Sequence, residues 1–226
     1  MVRGSVTVGI ASAMAAVGIV IGLTACGGPP LSSAKSPGRS STPTSTSTPA
    51  LSAGQQQFVN DMRGTFSFDS SVQDDTIATF GQQVCSDLQG GNTVATEVPF
   101  AEKSWSNMTA GDAIQMVTLA TKDICPSQAK PQTVTYAVTG DSADVTYGPA
   151  GSNFQGVVPM SVTQPLGSPS YYSIDAQLNA GGSVTCELAV DGVSISTASA
   201  SGAYNIASCE IDQSPATGSW ENTNNG

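Results

Sequence analysis

Hydrophobic positions along this chain change their spacing three times, and each change marks a segment boundary. Behind a single basic residue, Arg3, the run from Gly4 to Ala25 is uncharged and mostly apolar. From Pro29 to Ala50 apolar positions nearly disappear. Ser, Thr and Pro dominate there, ending in Ser40-Ser41-Thr42-Pro43-Thr44-Ser45-Thr46-Ser47-Thr48-Pro49. Between 53 and 128 apolar residues return every three or four positions, the helical period. From Pro131 onward they alternate with small or polar residues, the period of a half-buried strand.

The helical stretch carries its own start and stop signals. Ser52-Ala53-Gly54-Gln55 has the form of a capping box, and Phe58 and Met62 follow at i, i+4. A second helix sets Ile77, Phe80, Val84, Cys85 and Leu88 on one face, with Asp74 and Asp75 in the first turn, where the helix dipole favours acids. Gly90-Gly91 ends it. Residues 92–108 are less regular; Pro99 and Trp105 point to a short helix with a packed indole. Thr109-Ala110-Gly111-Asp112 caps a last helix with the face Ala113, Val117, Ala120 and Ile124, stopped by Cys125-Pro126.

The alternating stretch reads as six or seven short strands. Val134, Tyr136 and Val138 form the first, Gly140-Asp141 a turn, and Ala143, Val145 and Tyr147 the second. Val158, Met160 and Val162 follow, then a rigid turn through Pro165 and Pro169, then Tyr172, Ile174, Ala176 and Leu178. Val184, Cys186, Leu188 and Val190 run into Asp191-Gly192, the preferred pair for a type I′ hairpin. That turn predicts Val190 opposite Val193, Leu188 opposite Ile195 and Cys186 opposite Thr197. A last strand over 204–211 loses its apolar parity between Ile206 and Cys209, which predicts a bulge there. The fold class expected is α+β in two domains: a small disulfide-stapled helical domain, then an immunoglobulin-like antiparallel β-sandwich.

A basic residue, an apolar run and small residues before Cys26 follow the order of a secretory leader. The expected organisation is a leader over 1–25, a linker over 26–52, the helical domain over 53–130, the sandwich over 131–220 and a disordered tail over 221–226. A linker of this composition cannot bury enough to offset its chain entropy, and it reaches roughly 30 Å. It reads as a plain tether, with O-linked sugars on its Ser/Thr-Pro tracts as the alternative.

Charge narrows the function classes. Seven Lys+Arg face seventeen Asp+Glu, for a net charge of −10, and removal of Arg3 with the leader makes the mature chain more negative still. From Pro131 onward there is no Lys or Arg. A surface of that sign repels phosphate backbones, so no nucleic-acid partner is expected.

Five cysteines are present: Cys26, Cys85, Cys125, Cys186 and Cys209. With Cys26 set aside, four remain, and in an oxidising compartment these make two disulfides. Sequence alone allows three pairings. The composition break near Pro131 favours Cys85–Cys125 and Cys186–Cys209, and a loop of the first kind contributes roughly 3–4 kcal/mol in the chain-entropy picture. A zinc site is the rival reading, but the cysteines are not closely spaced and the chain has no His.

Catalytic patterns are absent. Without His there is no Ser-His-Asp triad or Cys-His pair. Ser32–Lys35 and Ser127–Lys130 match S-x-x-K by spacing only, both in linkers. Asp74 and Asp75 read as first-turn acids, and Asp141 and Asp144 as turn acids or a weak calcium site. Tyr171, Tyr172 and Tyr204 read as core or edge residues, or as a sugar-binding aromatic face. No catalytic residue, cofactor or metal is expected.

Three resemblances place the chain. Leu23-Thr24-Ala25-Cys26 resembles a bacterial lipobox, which implies diacylglyceryl transfer to the Cys26 thiol, cleavage before Cys26 and often acylation of the new amine. Two or more acyl chains give stable anchoring, so the expected location is the extracytoplasmic face of the plasma membrane, reaching into the envelope. Thr76-Ile77, Gly81-Gln82-Gln83-Val84-Cys85, Leu88, Gly90, Ala120 and Ile124-Cys125-Pro126 resemble a family of small secreted helical domains of unknown function, chiefly mycobacterial, over about 55–128.

The third resemblance covers about 131–212. Val134-Thr135-Tyr136 with Val138 and Gly140, Ala143-Asp144-Val145-Thr146-Tyr147, the prolines before Tyr171-Tyr172, and Cys186 to Gly192 with Cys209 behind resemble the extracytoplasmic domain of MmpS, the small mycobacterial membrane proteins. Those are thought to act beside MmpL transporters, exporters of lipids and siderophores. MmpS proteins keep an uncleaved transmembrane helix, whereas this chain has a lipobox and a tether.

Three functions follow as expectations. One is a non-enzymatic envelope accessory, docking to an MmpL-type exporter or another envelope protein. The second is a binding module for a lipid, glycan or small apolar ligand, held in the helical domain or between domains. The third, an enzyme, lacks a candidate constellation. An open cavity lined by apolar side chains favours the second, a well-packed interior with a flat apolar patch outside the first, and a pocket with converging carboxylates the third. If the lipobox reading holds, mass spectrometry of the protein from its native envelope will find residues 1–25 gone and Cys26 acylated, and Cys26→Ser will carry no lipid; an unmodified Cys26 would refute it.

Overall fold

The computed structural model describes residues 50–224. Cys26, the leader and nearly all of the linker lie outside the described residues. Four helices come first: α1 (Ala53–Thr65), α2 (Asp74–Gln89), α3 (Val94–Ser104) and α4 (Ala110–Asp123). Three of them start on a capping box, which satisfies two otherwise orphaned N–H groups at each start. In α1, the Gln55 amide N–H donates to Ser52 Oγ (3.3 Å) and the Ser52 N–H to Gln55 Oε1 (2.7 Å). The box at α3, Thr93 with Thr96, was not evident in the sequence pattern. Trp105 ends α3 with its indole buried, edge-on to Phe68 at 5.0 Å and Phe80 at 5.6 Å.

Nine strands follow: β1 (Thr133–Gly140), β2 (Ala143–Pro149), β3 (Phe154–Val157), β4 (Met160–Pro165), β5 (Tyr171–Leu178), β6 (Ser183–Val190), β7 (Val193–Ser201), β8 (Ile206–Gln213) and β9 (Trp220–Asn222). They make two antiparallel sheets, ordered β4-β1-β6-β7 and β3-β2-β5-β8-β9. Alternation sends Val134, Tyr136 and Val138 inward from one sheet, and Ile174, Ala176, Cys209 and Ile211 inward from the other, all fully buried. Cys186 on β6 bonds to Cys209 on β8, so this disulfide ties the two sheets together. Cys85 bonds to Cys125, joining α2 to the chain just past α4. The Cα separations, 5.8 and 6.1 Å, are those of ordinary disulfides.

The structure corrects three expectations about the strands. Asp191 and Gly192 both take positive φ, as a type I′ turn requires, and Val190 faces Val193. Beyond that pair the register shifts, so Leu188 faces Ser196 rather than Ile195, and Cys186 faces Ala198 rather than Thr197. The bulge turns Ser196 inward, where its hydroxyl donates to Asn222 Oδ1 at 3.1 Å. The bulge expected in β8 is absent: β8 pairs with β5 in unbroken register, Ala207 takes the inward position and Ile206 faces solvent. The chain does not turn disordered at 221 either, because β9 reaches Asn222 and the Thr223 N–H donates to Glu210 O.

Helices and sandwich pack as one compact unit. Helix α4 is its centre, since it meets α1, α2, α3, β7 and β9. At its first turn, Gly111 lies so close to the Trp220 carbonyl that no Cβ fits. Beside it, Ser219 Oγ donates to Asp112 Oδ1 at 2.8 Å, while Asp112 Oδ2 accepts from the Thr109 N–H and hydroxyl. Trp220 is buried and packs on Tyr172 at 5.2 Å. Helix propensity alone would make Gly111→Ala favourable by about 1 kcal/mol. The clash with backbone, which cannot swing aside, predicts the opposite sign. Urea denaturation will show the variant destabilised by about 2 kcal/mol or more, and equal or greater stability would show that this contact does not hold α4 to β9.

Candidate functional site

A cleft of about 540 Å³ opens where the helices meet the sandwich. Its helical side is the end of α2 at Leu88, the start of α3 at Thr93 and Val94, and the face of α4 carrying Val117, Thr118 and Thr121. The connecting chain from Gln128 to Thr133 forms another wall. Leu166, just after β4, and Asp191, in the β6–β7 turn, come from the sandwich. The volume falls in the range of small-molecule sites, as does the mixture of apolar surface with a few polar groups.

The wall is held by a small network. Asp191 Oδ1 accepts from the Thr133 N–H at 2.7 Å, and Asp191 Oδ2 accepts from Gln132 Nε2 at 3.1 Å. Gln132 Nε2 also donates to Thr118 Oγ1 on α4 at 3.2 Å. One side chain thus links the helical part, the connector and the sandwich turn. Sequence reasoning saw Asp191 only as a turn residue and did not single out Gln132. No local pattern signals either role, because the partners lie 58 and 59 residues from Asp191 in the chain. The connector leaves the helices at Cys125, three residues before this wall, where the Cys85–Cys125 disulfide holds it to α2.

Charge is uneven around the cleft. Lys122 and Lys130 line it. Lys122 pairs with Asp61 at 2.6 Å and Asp123 at 3.6 Å, and its hydrogen bond to Asp61 holds the Asp61 carboxyl below its ordinary value. Burial pushes the Asp123 carboxyl up instead. Behind the α3 wall, Glu97 is only 2 % exposed; Oε1 accepts from Asn92 Nδ2 at 2.8 Å and Oε2 has no hydrogen-bond partner. Burial pushes the Glu97 carboxyl up, Asn92 opposes this, and Asp87 adds to it.

The remaining candidate residues do not converge. Tyr172 is core, its hydroxyl accepting from the Gly167 N–H at 2.7 Å, whereas Tyr171 and Tyr204 sit at opposite ends of the β5–β8 ladder, so no aromatic sugar platform forms. Asp74 pairs with Arg63, and Asp141 accepts from the Ser183 N–H, a turn role. Asp144 is exposed on β2. Among the described residues no three Cys, Asp or Glu side chains form a metal cluster, and no helix is long and apolar enough to cross a membrane.

Comparison with known proteins identifies the helical part. A family model described as "Protein of unknown function (DUF732)" matches residues 54–127, the span of the four helices, so the chain contains a DUF732 domain. No curated protein matches the chain.

Glu97 gives a testable pH dependence. Its folded carboxyl keeps a proton that the unfolded chain releases as pH rises, so ionisation increasingly favours unfolding above the ordinary carboxylate range. Glu97→Gln keeps the acceptor for Asn92 without the charge. Thermal melts will show it more stable than wild type at pH 7, with the difference shrinking as pH falls toward that range. A difference that does not vary with pH would show that folding does not raise the Glu97 carboxyl.

Proposed function

We propose that this chain is a lipid-anchored, non-enzymatic protein of the bacterial cell envelope that binds a small apolar or amphiphilic ligand in the cleft between its DUF732 domain and its sandwich. The observation that carries the reading is the cleft itself: about 540 Å³, with Leu88, Val94 and Leu166 beside Asn92, Thr93 and Gln132. The location rests on the leader and lipobox pattern ending at Cys26. The likeness of 131–212 to MmpS supplies a context, in which the protein works beside an MmpL-type exporter and holds cargo for it. Absence of His and of any matched catalytic pattern supports binding rather than turnover.

The test is to purify the protein from a native-like envelope under mild detergent, extract it and identify bound small molecules by mass spectrometry. Wild type is expected to carry a defined species, and Val94→Trp, which places an indole in the cleft at a half-buried helix start, is expected to lose it while keeping the wild-type melting curve. Equal loading of both proteins, or empty wild type that takes up no added apolar compound, would overturn the binding reading.

A further inference from the structure

Resting on the cleft as a binding site, we propose that its ligand is an anionic amphiphile, a carboxylate- or phosphate-headed molecule with an alkyl tail, whose head pairs with Lys130. The chain is poor in cations: seven Lys+Arg against seventeen Asp+Glu. The described residues contain four, Arg63, Lys103, Lys122 and Lys130, and two of these line this one cleft. Their states differ. Lys122 is already paired with Asp61 and Asp123. Lys130 is exposed, and among the described residues no carboxylate lies within ion-pair distance of it.

Asp191 is the single acid among the lining residues, and its two oxygens are occupied by the Thr133 N–H and Gln132 Nε2. These neutral donors hold the carboxylate in place without removing its charge, and among the described residues neither Asp191 nor any other acid pairs with the Lys130 ammonium at the cleft. The apolar side chains Leu88, Val94 and Leu166 share the same space, which suits a tail joined to that head.

Electrostatics of the whole chain sharpens the choice. A cationic ligand would be drawn to the acidic surface generally, and the cleft would hold no advantage for it. An anion is repelled by that surface, so its binding requires a local cation. Lys130 lies in the connector just before Pro131, and from Pro131 onward the chain carries no other Lys or Arg. A flexible lysine stem can follow head groups of different size, which fits carboxylate and phosphate alike.

The test measures binding of four probes with one tail, dodecanoate, dodecyl phosphate, dodecanol and dodecyltrimethylammonium, to the delipidated full chain by displacement of an environment-sensitive dye. Dodecanoate and dodecyl phosphate are expected to bind about tenfold more tightly than dodecanol at low salt, with the gap narrowing as salt rises. The ratio between these two arms assigns the natural head to carboxylate or phosphate. Lys130→Gln should bring both anions to the dodecanol affinity and leave dodecanol unchanged, while Lys103→Gln, away from the cleft, should change nothing. Equal affinity for the anions and the alcohol, or tightest binding of the ammonium probe, would overturn the head-group assignment and leave the cleft as a site. Failure of every probe to bind a protein with an intact melting transition, or binding that Val94→Trp does not diminish, would overturn the cleft reading itself.

Discussion

The contact of Gly111 with the Trp220 carbonyl is the constraint on which the arrangement of this molecule depends. It brings the first turn of α4 against the backbone of the edge strand β9, more than a hundred residues later in the chain. Asp112 caps α4 with one carboxylate oxygen and receives Ser219 with the other, so the interaction that starts the helix also docks it. Because α4 touches every other helix, fixing α4 on β9 fixes the whole helical part. The cleft exists because two bodies meet along this line and a connector of a few residues closes one side.

Neither body is generously built. The helical part is small, and its disulfide between Cys85 and Cys125, 40 residues apart, contributes about 4 kcal/mol in the chain-entropy picture. The Cys186–Cys209 bridge, 23 residues apart, contributes about 3 kcal/mol by the same argument. Against these stand local costs. Glu97 Oε2 and the Tyr136 hydroxyl are buried without hydrogen-bond partners, and burial raises the phenol well above its ordinary value. Tyr136 repays part of this through its ring, which packs on Tyr147 at 5.0 Å and on Tyr172 at 6.2 Å in the sandwich core.

Charge and open space coincide at the cleft, where two of the four described cations line the cavity. A strongly acidic protein has few ways to hold an anion, and here Lys130, which has no ion pair among the described residues, stands in the connector that borders the cleft. The same connector is positioned by a disulfide at one end and by Asp191 at the other. Ligand binding, redox state and domain packing would therefore all act on one short stretch of chain.

The sequence by itself determined the local structure. Ser52, Thr109 and the apolar faces of α1, α2 and α4 were legible because caps and 3.6-residue periodicity act over a few residues. Strand alternation and the Asp191-Gly192 turn were legible for the same reason, and the composition break at Pro131 separated the cysteine pairs. What only the tertiary structure decided lies between distant residues. The bulge belongs in β6–β7 rather than β8 because Ser196 finds Asn222 there, and the end of the chain forms β9 because β8 offers it an unpaired edge. The cleft, and the roles of Gln132, Asp191 and Lys130 around it, follow from how α4 seats on the sandwich. Periodicity cannot report such contacts, because it records which face of an element is apolar and not what that face will meet.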